Sequence, residues 1–340
     1  MSSENLIIRL LIVLFLTTGL PAQSDTAAAE DPLEPFRVEV EAVNVLVAVH
    51  DKKTGRFVTN LSPQHFIVKE DGRHQRITNF APQTNLPLTI AICVDASASV
   101  RLKLGFEKEV ATDFLFDVMR PTDKALLVEF DTGVTLLHDF TSNPNALLAE
   151  IDNLRAGGGT SLYDAIYLIS EQKMLQEYGR KTILVLSDGS DLTSTHSFDE
   201  TLRMAYLAES TIYAISTTRF GAGEDARGDD ALEKLTESTG GTVFFPHSSN
   251  NLADAFKTID TELRSQYNLT YVPTNRKKDG TFRKIEIEVK ADDVRVRHRV
   301  GYYAPYDPMD KWKQRALERE QRRFQKEQEE REKAKGKKNE

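Results

Sequence analysis

Residues 88–99 read LTIAICVDASAS. Leu88–Val94 is a near-continuous apolar run, of the kind found in strands buried on both faces of a parallel sheet. It runs directly into Asp95-Ala96-Ser97-Ala98-Ser99, which delivers one carboxylate and two hydroxyls where the strand ends. Working outward, similar runs recur at Ala125–Val128, Ile183–Leu186 and Ile212–Ile215, with a shorter one at Val243–Phe245. Helical spacing fills the intervals: Phe106, Val110 and Phe114; Leu162, Ala165, Ile166 and Ile169; Leu252, Phe256, Ile259 and Leu263. Buried strands alternating with amphipathic helices predict an α/β domain with a doubly wound, mostly parallel sheet over residues 86–266. Asp131-Thr132-Gly133, ahead of Val134–Phe140, adds an antiparallel hairpin at its edge.

On both sides of this domain the texture is β. In residues 36–80, Val38 and Val40 share one parity, whereas Val43, Val45, Val47 and Val49 share the other, so a bulge or break is expected near Ala42. Lys53-Thr54-Gly55 and Asp71-Gly72 are turn signals. In residues 267–306, Tyr267, Leu269 and Tyr271 alternate, as do Ile285, Ile287 and Val289, and then Val294, Val296, His298 and Val300. Each flank is too small to bury a core alone. The economical solution is one small β-sandwich built from both, with the α/β domain inserted between them.

The ends of the chain differ from its body. Leu10–Leu20 (LLIVLFLTTGL) is shorter than the roughly 20 residues of a spanning helix and fits the apolar region of a secretory signal. The expected organisation is a signal peptide over 1–22, a linker over 23–35 and an exported mature protein, periplasmic or at the cell surface. Membrane contact follows only if the leader stays uncleaved. Residues 309–340 are rich in both charge signs and read as a solvated helix or frayed tail. The whole chain of 340 residues carries a net charge of -8, which disfavours a nucleic-acid partner and suits cations. The single cysteine, Cys93, excludes an intrachain disulfide and a cysteine-based zinc site, and its place in an apolar run makes it a core thiol.

Three segments carry chemistry. Ligands of open α/β sheets sit outside the carboxyl ends of the strands, where strand order reverses. The first buried strand brings Asp95, Ser97 and Ser99 there. The strand Ile183–Leu186 ends in Ser187-Asp188-Gly189, and the loop Gly157-Gly158-Gly159-Thr160 precedes a helix. Asp95, Ser97, Ser99, Thr160 and Asp188 form an all-oxygen donor set suited to a hard divalent cation: Mg²⁺, or Mn²⁺ or Ca²⁺. These donors leave a position free, and a carboxylate from a protein partner would fill it.

The pattern D-x-S-x-S after a first buried strand, a Gly-rich loop with Thr, and a later strand ending in D-G resembles the von Willebrand factor type A domain and its metal-ion-dependent adhesion site. With the phrases FIVKEDG (66–72) and VGYYAP (300–305), the whole chain is similar to a subfamily of secreted bacterial proteins related to that domain. The resemblance implies that Ser97, Ser99 and Thr160 contact the metal through their hydroxyls. Asp95 and Asp188 would then hold it directly or through water, and the chain would be an adhesion-type binding module rather than an enzyme.

Other readings compete. A periplasmic scaffold could use the metal only to stiffen its loops. A hydrolase could pair Ser97 with His196, but the G-x-S-x-G elbow is absent, Ala96 and Ala98 flank the serine, and Asp95 competes for the hydroxyl. There is no G-x-x-x-x-G-K-[ST] loop, so no nucleotide is expected, and the histidines show no metal-binding spacing. Ser161 and Asp164 read as a helix-capping pair. Asp131 and Asp191 read as solvated loop residues, and Arg227-Gly228-Asp229 as a loop ahead of a helix.

Overall fold

The computed structural model describes residues 42–81, 86–219 and 226–307. The expected leader, linker and charged tail, and Val38 and Val40, lie outside these residues. The described chain opens with β1 (Val43–Asp51), β2 (Phe66–Glu70), β3 (Arg73–Gln75) and β4 (Ile77–Ala81). The α/β part follows: β5 (Leu88–Asp95), α1 (Leu104–Val118), β6 (Lys124–Phe130), β7 (Val134–Thr141), α2 (Pro144–Asn153), α3 (Leu162–Gln172), β8 (Arg180–Ser187), α4 (Phe198–Leu207), β9 (Ser210–Ser216), α5 (Ala226–Thr239), β10 (Val243–Phe244) and α6 (Ser249–Ser265). Last come β11 (Tyr267–Tyr271), β12 (Phe282–Val289), β13 (Val294–His298) and β14 (Gly301–Tyr303).

The central sheet has the order β10-β9-β8-β5-β6-β7. All its pairings are parallel except β6 with β7, the hairpin at the edge. Every residue of β5, β8 and β9 is buried, because helices cover both faces. On one face, α1, α2 and α6 bring Phe106, Val110, Phe114, Leu147, Ile151, Phe256 and Ile259 against Ile90, Ile92 and Leu184. On the other, α3, α4 and α5 bring Leu162, Ile166, Ala205, Leu232 and Leu235 against Ala91, Cys93, Ile183 and Val185. Each Val, Leu, Ile or Phe among them contributes about 1.5–3 kcal/mol by leaving water. The helices α2 and α4 lack a clear apolar stripe in the sequence, and their caps define them. Asn143 accepts from the Asn145 N–H with Pro144 at the first helical position, and Ser197 and Glu200 form a reciprocal capping box.

The flanking strands form two antiparallel four-stranded sheets, β13-β1-β11-β4 and β14-β12-β2-β3. Each sheet mixes strands from both ends of the described chain. Val45 pairs with Leu269 and Val49 with Val296, while Val68 pairs with Ile287. Between the sheets lie Val45, Val47, Phe66, Val68, Tyr267, Leu269, Tyr271 and Ile285. The alternation expected over Val294–Val300 stops at His298. The chain then changes sheets, and Gly301 packs so closely on β12 that a Cβ there would come within 2.3 Å of the Arg283 carbonyl oxygen.

The passage from the α/β part to the sandwich is short. Only Gln266 separates α6 from β11, and it is buried, accepting a hydrogen bond from the Arg180 guanidinium at 2.9 Å. Glu262 of α6 pairs with Arg297 of β13 and accepts the Tyr213 hydroxyl at 2.9 Å.

Candidate metal centre

The strand β5 has β6 on one side and β8 on the other, so the carboxyl ends of β5 and β8 flank the point where strand order reverses. Asp95 ends β5 with no exposed surface. Its Oδ1 accepts the Ser97 N–H at 2.9 Å and its Oδ2 accepts the Ser187 hydroxyl at 2.6 Å. Burial pushes the Asp95 carboxyl up to about 6; the hydrogen bonds from Ser187 and Ser97 oppose the shift, and the negative charge of Asp188 adds to it. The Ser97 and Ser99 hydroxyls lie 2.8 Å apart, with Ser97 buried and Ser99 exposed.

The glycine loop is stitched to this turn through the backbone. The Gly157 N–H donates to the Ala96 carbonyl at 2.8 Å, and the Ala98 N–H donates to the Gly158 carbonyl at 3.2 Å. Gly158 has φ +70°, and a Cβ there would come 2.6 Å from the Thr132 Oγ1. Only glycine allows that conformation and that approach. Thr160 follows, 1% exposed, its carbonyl accepting the N–H groups of Leu192 and Thr193.

At the end of β8, the Ser187 hydroxyl donates to Asp95 and accepts the Gly189 N–H at 3.0 Å. Asp188 is 8% exposed and accepts the Ser190 N–H at 3.1 Å. Gly189 has φ +79° and packs against Gly228 at the start of α5. A Cβ on Gly228 would come 2.1 Å from the Asp188 carbonyl oxygen. Gly228 therefore fixes where the Asp188 turn lies.

Two further residues belong to this neighbourhood. Glu107, in the first turn of α1, has no exposed surface, and neither carboxyl oxygen has a hydrogen-bond partner. Burial, then the charge of Asp95, holds its carboxyl well above the usual range; the Thr217 hydroxyl opposes this, Asp188 adds to it, and Lys103 opposes it more weakly. The Thr217 hydroxyl, just beyond β9, is buried beside the Glu107 carboxyl without closing a normal hydrogen bond. The clue to Glu107 is a charged residue in register with Ala111, Phe114, Leu115 and Val118 on the buried side of α1. Ser187 has a weaker one, its place one residue before the aspartate.

A divalent cation fits these residues. Among the described residues, none of Asp95, Asp188 and Glu107 takes part in an ion pair. Buried carboxylates without a cation are costly, and a bound divalent ion would offset that cost. Among the described residues, no group of three or more His, Cys, Asp or Glu side chains could hold one ion together. The hydroxyls would therefore have to supply part of the coordination, as hard oxygen donors can.

The neighbours are held in other ways. His196 Nδ1 lies 2.6 Å from Asp164 Oδ1, and its ring stacks on Tyr167 at 3.7 Å, so this histidine is not paired with Ser97. Ser161 makes no side-chain cap, contrary to the capping expectation. Its hydroxyl donates to the Thr132 carbonyl instead, while Asp164 accepts the N–H groups of Thr195 and His196. The cause is the tight return of the 193–197 loop over the start of α3, which supplies Asp164 with better donors. Asp131 accepts the Gly133 N–H, and Asp191 accepts the Ser194 hydroxyl at 2.6 Å and the Tyr163 N–H at 3.2 Å, so both are turn-forming residues. Asp229 accepts the hydroxyls of Ser216 and Thr218, which orients the last residue of the Arg-Gly-Asp triplet towards β9. Cys93 is fully buried, and burial pushes its thiol up to about 12.

Residues 90–190 match the family model of the von Willebrand factor type A domain. No curated protein matches the chain. Among solved structures, it is similar to the BatB protein of Bacteroides thetaiotaomicron, at 16% identity over 52% of this chain and 97% of that one, with a TM-score of 0.43. A von Willebrand factor type A protein of Catenulispora acidiphila matches at 12% identity over 81% of this chain and 76% of that one, with a TM-score of 0.45. Proximal thread matrix protein 1 from the mussel byssus, whose structure has a zinc-occupied adhesion-site motif, matches at 19% identity, with a TM-score of 0.44. That match covers 56% of this chain, which spans about half (48%) of the mussel protein.

Proposed function

We propose that this von Willebrand factor type A domain is a metal-dependent protein-binding module that captures a carboxylate of a protein partner. The observation that carries the reading is a pair of buried aspartates, Asp95 and Asp188, at the strand-order reversal, close enough for one charge to act on the other and, among the described residues, with neither in an ion pair. Ser97, Ser99 and Thr160 would hold the ion through their hydroxyls, and Asp95 and Asp188 directly or through water. A bound Mg²⁺, Mn²⁺ or Ca²⁺ supplies a Lewis-acidic position that an outside Asp or Glu can complete. This chain's part is to keep the donors in place: Ser187 orients Asp95, Gly158 lets the Thr160 loop approach, and Gly228 seats the Asp188 turn. Binding is favoured over hydrolysis because Ser97 shares a hydrogen bond with Ser99 while His196 is engaged by Asp164.

Export is part of the proposal and rests on the apolar run at residues 10–20. Among the described residues, no helix is long and apolar enough to cross a membrane. The test is capture by the immobilised mature protein from an envelope extract in Mg²⁺, followed by elution with EDTA. Retention of a partner in Mg²⁺, lost on chelation and in Asp95→Ala with the circular dichroism spectrum unchanged, is the expected result. Identical retention with and without chelator would favour a scaffold with a structural ion, and calorimetry detecting no uptake of Mg²⁺, Mn²⁺ or Ca²⁺ would end the reading.

A further inference from the structure

The helix α1 buries Ala111, Phe114, Leu115 and Val118 together with one acid, Glu107. An acid there whose oxygens close no normal hydrogen bond is costly, a cost that an apolar side chain of similar size would avoid. The helix N-terminus and Lys103 offset only part of that cost. What surrounds Glu107 is the candidate metal centre. The charges of Asp95 and Asp188 both act on it, and the buried Thr217 hydroxyl beside it does not close a normal hydrogen bond with it. A buried carboxyl that the neighbouring hydroxyl only weakly supports, with the charges of two aspartates reaching it, marks a place where donors and positive charge are missing. Water on a divalent ion supplies both, because such water is polarised and donates strongly.

Glu107 does not complete a direct ligand set with the two aspartates, since no three such side chains are in position to hold one ion. Hard cations of the magnesium class keep several waters when protein-bound, and those waters need acceptors. We propose that Glu107 is an outer-sphere carboxylate of the metal centre, its oxygens accepting hydrogen bonds from ion-bound water on the buried side. This rests on the metal reading given above and adds a third acidic residue to it. Glu107 is fully buried whereas Ser99 is exposed, so Glu107 holds the ion's hydration on the inner side and leaves the solvent side to the partner's carboxylate. Outer-shell groups of this kind are typically worth 10–100-fold in metal affinity.

The test is calorimetric titration of the mature chain and of Glu107→Gln with MgCl₂ and with MnCl₂, alongside thermal unfolding of both in EDTA. The proposal expects Glu107→Gln to bind each ion about 10–100-fold more weakly while unfolding in EDTA at the same temperature or higher. Affinity within twofold of the parent would overturn it. So would an EDTA midpoint lowered by the substitution with affinity unchanged, which is the signature of a purely structural acid. Uptake of neither ion by the parent chain would instead sink the metal reading itself, a distinguishable outcome. If Glu107→Gln does not fold, Glu107→Met takes its place in the same two measurements, with the same outcomes supporting or overturning the proposal.

Discussion

Two buried glutamates divide the molecule. Glu70, at the end of β2 in the sandwich, is 2% exposed and surrounded by donors. Its Oε2 accepts the hydroxyls of Tyr271 and Tyr302, each at 2.9 Å, and the Arg283 guanidinium stands 3.7 Å from Oε1. Arg283 is itself held by the carbonyls of Asn275 and Lys277 and by Asp279. Glu107 in the α/β part is equally buried and has no such partner. The first acid ties together strands from both ends of the described chain, and its network is closed. The second belongs to a network that protein atoms alone leave open. Buried charge is therefore met by protein donors in the sandwich and left largely unmet at the strand ends.

The largest test of this contrast is Glu70→Ala. It strands two tyrosine hydroxyls and takes one of two carboxylates from a buried guanidinium, and breaking a buried network this way costs about 3–5 kcal/mol. Denaturant unfolding should register that loss equally in Mg²⁺ and in EDTA; a loss seen only in Mg²⁺ would break the comparison. Next in size is the ion itself. At a metal concentration about 100 times its dissociation constant, binding to the native state adds about 2.7 kcal/mol. Chelation should remove this increment from the parent chain. Asp95→Ala should lack it from the start, and Glu70→Ala should keep it despite its lower baseline.

The sequence makes the open side more legible than the closed one. The run ending in Asp95, the glycines before Thr160 and the Asp188-Gly189 turn are local signals, each readable within a few residues. Likewise the hydrophobic runs of β5, β8 and β9 follow from burial on both faces, which leaves a composition signature. Glu107 carries no local mark beyond a charged side chain on an apolar helix face, and Thr217, between Ser216 and Thr218, carries none. Their meaning appears only when α1 and β9 are set beside β5. The sandwich pairing is similarly non-local: Val45 meets Leu269 across more than half the chain. Incompleteness of the two flanks implies such pairing, but the interleaving of strands within each sheet depends on register. Ser161 and Asp164 illustrate the opposite failure, a local pattern overruled by a returning loop.

Acid sharpens the comparison next. His50 of β1 lies 3.4 Å from the Arg297 guanidinium and packs on Phe57. Burial, then the positive charge of Arg297, pushes it down to about 4, with Arg295 adding to the shift and the Gly55 backbone opposing it. The unfolded chain takes up this proton near its ordinary value of 6.5, whereas the folded sandwich refuses it until about 4. Stability is therefore complete above that ordinary value and falls as pH drops through this window, by on the order of 1–2 kcal/mol after solvent screening. Unfolding in EDTA between neutral pH and pH about 4 should show the slope, and His50→Gln should flatten it. An unchanged slope would move the acid sensitivity away from the sandwich.

The smallest effect asks whether the Glu70 network is as closed as its geometry implies. Tyr271 and Tyr302 both donate to the same carboxyl oxygen, one from each sheet of the sandwich. Tyr302→Phe removes one donor and leaves the acid with Tyr271 and Arg283, so the loss should be about 1 kcal/mol, the net value of one hydrogen bond. Tyr271→Phe should cost a similar amount. If the two donors share one acceptor cooperatively, the double variant should cost more than the sum of the single ones, because Glu70 then loses its last hydroxyl donor while still buried. A strictly additive cycle would mean that Arg283 alone satisfies the charge. In neither variant should Mg²⁺ affinity change, and a change would show that the two buried acids belong to one network.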